Sequence, residues 1–367
     1  MIYDFAVSGA SFAGLSFSQA CTAQGRKGII LEKKKSHHDF IHTTGIVVQE
    51  TADLVNLPLH LCKKINAVKL YSPSLKSMTL TRPGYNFYCT DTSEFLTEML
   101  RSVEASGVKI CMATPFKNAQ RQNGLLKVNH DIHTKFLVGA DGARSKVAKH
   151  FNLSQNKKFL TGIEWEFDRI GKVDDQCLHV FISKKYAPGY IGWIVPGPVS
   201  YQVGLAVKDG LKPNLKPFIE HLSKRFDFSQ STVFNHRGGL IPCGGPLPNS
   251  GNDKVLLLGD AAGTVSPLTA GGIHKAIEIG STAGIWLHNY LNNDGSRPDK
   301  VMRECTPSYR FKNIMRSGMN QLQPSDKVID HLFESRLFKS FAQTVFFHHR
   351  GIFSFKAWKD IVGLLKT

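Results

Sequence analysis

A strand–loop–helix segment near residue 260 constrains the fold more than any other part of the sequence. Val255–Leu258 are four consecutive apolar residues, which is typical of a short strand buried on both faces. Gly259-Asp260 ends this run, and Gly271-Gly272 opens a predicted helix with nothing bulky at its start. Such a helix directs free N–H groups and the positive end of its dipole toward an anion. We therefore expect an anionic ligand above the segment. Asp260 either binds a hydroxyl of a sugar or sugar alcohol or only caps the helix.

The N-terminus has the pattern of a dinucleotide-binding βαβ unit. Strands are predicted at Ile2–Ser8 and Ile29–Glu32, with a helix at Leu15–Gln24 between them. The loop Gly9–Gly14 joins the first strand to the helix. A unit of this kind holds a pyrophosphate between a glycine-rich turn and a helix N-terminus. The alternative is a glycine-rich turn in an unrelated α/β fold.

The residues of this unit have separate expected roles. Gly9 permits the tight turn, and Gly14 permits close packing of the helix on the strand. Glu32 follows about 20 residues later and is placed to bind an adenosine ribose. Ser11 stands where this pattern normally has its second glycine. Ser11 must therefore either fit against the pyrophosphate or donate its hydroxyl to it.

A third segment, FLVGADGARS, spans residues 136–145. Phe136–Val138 is predicted to be a strand, Asp141-Gly142 forms a turn, and a helix begins at Ser145. One reading of Asp141 is that it only braces this capped turn.

Together the three segments resemble the motifs of single-component FAD-dependent oxidoreductases of the geranylgeranyl reductase and p-hydroxybenzoate hydroxylase-like superfamily. The spelling GDAAG, PLT and GI over residues 259–273 is closest to the geranylgeranyl reductase branch. The resemblance implies that Asp260 binds the ribityl chain or the pyrophosphate, and that the backbone near Gly271-Gly272 lies against the isoalloxazine ring. In all, it implies these cofactor-binding residues: Gly9, Ser11, Phe12, Ala13, Gly14, Glu32, Lys33, Thr44, Gly45, Phe116, Asp141, Gly142, Gly259, Asp260, Pro267, Gly271, Gly272 and Ile273.

Some positions depart from the family pattern. His42–Ile46 matches a loop that touches the flavin and that carries a Cys or an Arg in relatives, whereas this chain offers Thr43 and Thr44. Thr92 stands where relatives place an Arg that contacts FAD. In relatives the residue at Asp141 is thought to support FAD and pyridine-nucleotide binding indirectly.

Residues from about 159 to 241 are predicted to be mainly strands. We therefore expect an α/β protein with a discontinuous Rossmann-type FAD-binding domain, an inserted β-sheet that roofs the flavin, and a C-terminal helical segment. The expected boundaries are residues 1–62, 90–155 and 250–295 for the FAD-binding domain, 63–89 and 156–249 for the substrate or roof domain, and 296–367 for the helical segment.

The segment PGYIGWIVP at residues 188–196 belongs to this roof. It resembles both the PxxYxWxFP motif of geranylgeranyl reductases and the WxWxIP motif of flavin halogenases. We expect an apolar, shape-selective substrate wall made by Ile191, Trp193, Val195 and Pro196. The alternative for Trp193 is a place in the core of the sheet.

Charge and cysteine usage set the expected partners and compartment. The net charge of +17 favours anionic partners, but no nucleic-acid motif accompanies it. Seven scattered cysteines without a CxxC pair indicate a reducing compartment and no metal site. No apolar run reaches the ~20 residues of a membrane helix. We expect a cytoplasmic protein. Its basic, aromatic C-terminal stretch from His348 onward either contacts an acidic membrane surface or caps the flavin domain. His37, His38 and His42 are expected to be surface residues.

These features predict an FAD-dependent oxidoreductase with NAD(P)H as the electron donor. The leading hypothesis is a geranylgeranyl-reductase-like enzyme that passes a hydride from reduced flavin to a C=C bond of an apolar, isoprenoid-type substrate. The alternative is a monooxygenase that hydroxylates a small aromatic or polyketide-like substrate. A halogenase and a flavoprotein without turnover are further alternatives. No proton donor is identified from the sequence.

Overall fold

A computed structural model describes residues 1–36, 38–39, 41–322 and 324–347. Their strands are, in chain order, β1 (Ile2–Ser8), β2 (Gly28–Leu31), β3 (Ile46–Val48), β4 (Cys62–Ile65), β5 (Ala67–Tyr71), β6 (Ser77–Thr81), β7 (Phe87–Thr90), β8 (Lys109–Cys111), β9 (Ala119–Gln122), β10 (Leu125–Val128), β11 (Ile132–Gly139), β12 (Phe159–Phe167), β13 (Cys177–Phe181), β14 (Gly192–Pro196), β15 (Tyr201–Lys208), β16 (Val233–Pro242) and β17 (Val255–Leu257).

The helices of the same residues are α1 (Phe12–Thr22), α2 (Gln49–Leu54), α3 (Thr92–Ala105), α4 (Lys146–His150), α5 (Lys216–Leu222), α6 (Ile273–Leu291), α7 (Pro298–Cys305), α8 (Arg310–Leu322), α9 (Asp326–Leu332) and α10 (Arg336–Phe347).

The first sheet unites the three segments that the sequence singled out. Its parallel part has the order β8-β2-β1-β11-β17, and β10 and β9 extend it beyond β11 as antiparallel strands. Phe5 of β1 pairs with Phe136 of β11, and Val138 of β11 pairs with Leu256 of β17. The paired stretches Phe5–Val7, Phe136–Val138 and Val255–Leu257 are apolar and buried, because helices and loops cover both faces of the sheet here. Three distant parts of the chain therefore end their strands at one edge.

Helices α1 and α6 cross at close range over this sheet. A Cβ atom placed on Gly280 of α6 would lie 2.7 Å from the Ala13 carbonyl oxygen of α1. The crossing brings the N-terminal ends of both helices to the same side of the molecule, beside the carboxyl ends of β1 and β17.

The inserted β-sheet, here called the roof sheet, has the strand order β16-β12-β15-β14-β13-β5-β6. Its neighbouring strands are antiparallel except β13 and β5, which run parallel. Strands β5 and β6 of this sheet come from the early part of the chain. The other strands of that early segment, β4 and β7, instead form a small sheet with β3 in the order β3-β7-β4.

The fold class is confirmed, and the differences lie at element ends. The predicted helix Leu215–Phe226 is observed as the shorter α5, and the predicted helix Leu15–Gln24 begins earlier, at Phe12. The C-terminal part is helical over α7 to α10. No helix among the described residues is long and apolar enough to cross a membrane. The basic stretch from His348 onward and His37 lie outside the described residues.

Candidate functional site

A cavity of about 920 Å³ lies between the carboxyl edge of the first sheet and the roof sheet. The loops that follow β1, β11 and β17 line it through Gly9, Asp141 and Asp260. In open α/β sheets, ligands bind beyond the carboxyl ends of the strands, where loops from separate parts of the chain converge. This cavity is the candidate site.

The turn after β1 is shaped for a close backbone approach. Gly9 has a φ of 110°, and a Cβ atom there would lie 2.2 Å from the Ala140 carbonyl oxygen. Ser11 is the N-cap residue of α1, but its side chain makes no capping hydrogen bond. The N–H groups of the first helical turn therefore lack an intrahelical acceptor. Because Ser11, Phe12 and Ala13 line the cavity, this helix end is open to an anion.

Glu32 lies at the end of β2 and is 5 % exposed. Its Oε2 accepts a hydrogen bond from the Ala10 N–H at 2.7 Å, and its Oε1 accepts one from the Lys34 N–H at 3.0 Å. A carboxylate has about four acceptor sites, so each oxygen keeps capacity for a ligand hydroxyl. Glu32 and the neighbouring Lys33 both line the cavity.

Asp260 follows β17 and faces the start of α6. Its carboxylate makes no hydrogen bond to the described residues, and burial raises its pKa to about 6. Helix α6 begins after Gly272 without a side-chain cap. Asp260 therefore does not act as the helix cap that the sequence left open. Gly259, Gly271, Gly272 and Ile273 line the cavity beside it.

Asp141 has a structural role that the sequence analysis left open. Its Oδ2 accepts hydrogen bonds from the N–H groups of Lys146 and Val147, at 2.7 and 3.1 Å, and so braces the start of α4. Its Oδ1 is buried without a hydrogen-bond partner among the described residues. Asp141, Gly142 and Phe116 all line the cavity.

Three predicted site residues lie away from the cavity lining. Gly14 lies behind the turn, where a Cβ atom would be 2.1 Å from the Gly9 carbonyl oxygen. Pro267 is buried in the loop before α6, and Pro196 ends β14 as a buried residue. Each has a packing role in the structure, and no cavity contact is observed for any of them.

The departure at Thr92 has a physical reason. Thr92 is 1 % exposed and lies beneath Gly45, whose φ is 76°. A Cβ atom on Gly45 would be 1.8 Å from the Thr92 hydroxyl oxygen. The space that a long side chain would need is therefore filled, and Thr92 does not reach the cavity. Thr44 and Gly45 do line it.

The roof contributes the opposite wall. Ile191, Trp193 and Val195 line the cavity, and their contact with a substrate stays a prediction. Trp193 is not simply a core residue: its Nε1 donates a hydrogen bond to Glu164 Oε2 at 2.7 Å. The Thr44 hydroxyl donates to the same oxygen, also at 2.7 Å. A polar contact thus joins the roof to the loop that carries Thr44.

Sequence analysis missed Glu164, Arg237 and His42 as cavity residues. His42 is exposed, as expected, but its Nδ1 lies 2.9 Å from the Gly238 carbonyl oxygen, and partial burial lowers the pKa of the ring. Glu164 and Arg237 are paired opposite each other on β12 and β16. The usable signal was the sequence IEWEF, in which two glutamates occupy one face of an otherwise apolar strand.

The cavity fits an FAD molecule. Glycines keep the turn after β1 and the start of α6 open, two helix N-termini have unsatisfied N–H groups, and buried carboxylates stand where hydroxyl groups of a nucleotide would reach them. These are the chemical groups that recognise a pyrophosphate, a ribose and a ribityl chain.

Comparison with known proteins also supports a flavin-dependent oxidoreductase. The chain is 28 % identical over 297 residues to the digeranylgeranylglycerophospholipid reductase of Methanocaldococcus jannaschii. This alignment covers 77 % of this chain and 76 % of the relative. No family model matches the chain.

Two solved structures share the fold. A geranylgeranyl bacteriochlorophyll reductase-like protein from Thermoplasma acidophilum superposes with a TM-score of 0.81, at 16 % identity and over 99 % of both chains. A protein described as a probable FAD-dependent monooxygenase from Pseudomonas aeruginosa superposes with a TM-score of 0.67, at 12 % identity, over 91 % of this chain and 100 % of the other. The chain is therefore similar in sequence to a digeranylgeranylglycerophospholipid reductase, and it shares its fold with a geranylgeranyl reductase-like protein and with a probable FAD-dependent monooxygenase.

Proposed function

We propose that this protein is an FAD-dependent reductase that saturates a C=C bond of an isoprenoid-type lipid. The observation that carries the proposal is one cavity that joins the glycine-rich loops to an apolar wall. The similarity to a digeranylgeranylglycerophospholipid reductase over most of the chain supports the substrate class. When bound, FAD supplies the hydride chemistry of such a reduction.

The residues that would hold FAD follow from the open groups of the cavity. The N-terminus of α1, with Ser11 and Ala13, would bind the pyrophosphate. Glu32 would accept hydrogen bonds from the adenosine ribose, and Asp260 would accept them from the ribityl chain. The N-terminus of α6 after Gly272 would lie against the isoalloxazine ring.

The wall of the cavity beyond these loops suits a lipid chain. Most of its surface is apolar, so it would exclude water from a reduced cofactor. Its apolar lining includes Ile46, Phe87, Leu178, Val180, Ile191, Val195 and Phe346.

NAD(P)H is proposed as the electron donor. The sequence has no second GxGxxG segment, so the nicotinamide would have to approach FAD without a Rossmann domain of its own. Anaerobic mixing of the FAD-loaded protein with NADH or NADPH tests this proposal. Bleaching of the flavin absorbance supports it, whereas a flavin that only dithionite reduces contradicts it.

An acidic membrane surface is proposed as the place where the protein meets a lipid substrate. The net charge of +17 supports this contact. Flotation with anionic and with zwitterionic liposomes tests it. Salt-sensitive flotation with the anionic liposomes alone is expected, and equal behaviour with both contradicts the proposal.

The reductase activity is tested by reducing the FAD-loaded protein anaerobically and adding a digeranylgeranyl lipid. Reoxidation of the flavin together with a saturated product is expected. A reduced flavin that stays reduced with the lipid, but hydroxylates an aromatic substrate when oxygen is admitted, would replace this function by the monooxygenase alternative.

A further inference from the structure

A buried acid on the roof sheet faces the cavity with one oxygen unused. The Glu164 side chain is 6 % exposed, and its Oε2 accepts both hydrogen bonds, from Trp193 and from Thr44. Its Oε1 makes no hydrogen bond to any residue in the described part of the chain. A buried acceptor without a donor costs free energy of folding. If this oxygen is protonated, it can instead donate a hydrogen bond to a ligand in the cavity.

The position of Glu164 results from one row of residues across four strands. Arg237, Glu164, Gly204 and Trp193 stand opposite one another on β16, β12, β15 and β14. Gly204 has no side chain, and a Cβ atom there would lie 2.5 Å from the Trp193 ring. The indole therefore lies across the backbone of β15 and reaches the carboxyl group of Glu164.

The charges around Glu164 do not balance if every acid is ionised. Arg237 lies beside two buried carboxyl groups, Glu164 and Glu166, and its Nη2 donates a hydrogen bond to Glu166 Oε1. Asn235 donates to the other oxygen of Glu166 at 2.6 Å. The distance from Arg237 Nη1 to Glu164 Oε1 is 3.9 Å. Both oxygens of Glu166 thus have a donor, and one positive charge cannot neutralise both acids.

Burial of the Glu164 carboxyl group also favours its protonated form and raises its pKa. The charged and titratable groups that face it are Glu166 on its own strand and Arg237 on β16. Trp193 on β14 and Thr44 on the neighbouring loop are neutral donors. His42, which also lines the cavity, has a pKa lowered by burial.

We propose that Glu164 is the acid that protonates the substrate alkene in this cavity. This role rests on the proposed reductase function. It supplies the proton donor that sequence analysis left unassigned.

The step is balanced in atoms and electrons. When bound and reduced, FAD would supply a hydride to one alkene carbon, and the π electron pair of the alkene would form a C–H bond at the other carbon with the proton of Glu164. The O–H bond of Glu164 breaks and leaves a carboxylate. Trp193 Nε1–H and the Thr44 hydroxyl are already in place to stabilise this negative charge, as is Arg237. The carboxylate regains its proton from water between turnovers.

The protonation state is tested first, without any turnover. Infrared spectra of FAD-loaded protein labelled with ¹³C-glutamate should show a protonated carboxylic acid band at pH 7, and the band should be lost in E164Q. E220Q, which changes an exposed glutamate of α5, should keep it. Absence of the band in the wild-type protein would overturn the proposal whatever the activity.

The role in turnover is tested by E164Q in the anaerobic lipid assay. We expect kcat to fall by about 100-fold or more, the range of a lost general acid, while the rate of flavin reduction and the Kd for FAD change less than about 3-fold. E164D should recover part of the loss. If the wild-type protein turns over the lipid and E164Q turns it over at the same rate, the donor role of Glu164 is wrong, but the reductase function stands. A wild-type protein that reduces no polyprenyl lipid would end the proposed function and this role with it.

A second variant keeps the proposal testable if E164Q does not fold. In E166Q the charge of Arg237 is left to Glu164 alone, so Glu164 should become ionised. We expect the infrared band and the turnover to decrease together. An unchanged band in E166Q with full turnover would contradict the charge argument.

Discussion

Ser11 is the residue at which this chain departs from the usual glycine-rich pattern, and it caps α1 without using its hydroxyl. S11E would place a negative charge where the pyrophosphate is proposed to bind. We expect the Kd for FAD to rise at least about 10-fold, because like charges at a helix N-terminus repel. S11G restores the usual glycine and should bind FAD as well as the wild type. Isothermal titration measures both, and equal Kd values for S11E and S11G would contradict the assignment.

Asp260 should make the stability of the cofactor-free protein depend on pH. Its pKa is raised from the model-peptide value of 3.8 to about 6, so the folded state binds the proton more tightly than the unfolded state. Its contribution is therefore full below pH 4 and is lost as the pH rises through 6, at about 1.4 kcal/mol per pKa unit.

Urea unfolding at pH 4.5 and pH 7 measures this effect. D260N should be less sensitive to pH than the wild type over this interval. D131N, which removes an exposed carboxylate on a hairpin turn, should match the wild type. The same pH dependence in D260N and the wild type would show that Asp260 is not the group responsible.

The sequence predicted those parts of the site that local motifs encode. Gly9, Glu32 and Asp260 each follow a recognisable strand, and the structure brings them to one cavity. Their contacts with FAD stay predictions. Glu164 was not predicted as a site residue, because its environment depends on Arg237 and Trp193. These two residues are brought to it by strand register across four strands. Register between strands that are far apart in the chain is not written in any local pattern.

At the level of elements, the crossing of α1 and α6 fixes both helix N-termini beside the cavity. G280A would place a methyl group 2.7 Å from the Ala13 carbonyl oxygen. We expect a loss of about 1–3 kcal/mol in the free energy of unfolding, as for other overpacked sites.

Gly318 of α8 offers the matched control, because a Cβ atom there meets nothing within 4 Å. G318A should be neutral or should stabilise the protein by up to about 1 kcal/mol, the difference in helix propensity between glycine and alanine. Chemical denaturation compares the two variants. Equal effects at the two glycines would mean that the helix crossing tolerates a wider spacing.

The order of the strands was less predictable than their existence. The runs that became β5 and β13 are visible in the sequence, but their parallel pairing within the roof sheet is not. Strands β4 and β7 look like neighbours of β5 and β6, yet they pair with β3. Strand pairing of this kind is decided by packing between distant segments, which residue propensities do not predict.

For the whole molecule, the charge around the cavity should govern the rate at which an anionic cofactor arrives. Four acidic residues line it (Glu32, Asp141, Glu164 and Asp260), whereas the basic residues outnumber them: Lys33, Lys34, Arg144, Lys146, Arg237, Lys275 and Lys312. Together with the net charge of +17, this excess should attract FAD through solvent.

Stopped-flow association of FAD with cofactor-free protein measures this steering. We expect the association rate to fall several-fold between about 10 mM and 150 mM salt, since the Debye length shrinks from about 30 Å to about 8 Å. Uncharged riboflavin is the control ligand and should associate at a rate that salt hardly changes. A salt-independent rate for FAD would argue against steering by this surface.

We propose that distant segments of the chain form one cavity that holds FAD with its ring beneath the roof sheet. A crystal structure of the FAD-loaded protein measures this directly. We expect the pyrophosphate at the N-terminus of α1, the adenosine ribose at Glu32, and the isoalloxazine ring between the start of α6 and the wall of Trp193 and Glu164. FAD bound elsewhere, or with its ring outside this cavity, would contradict it.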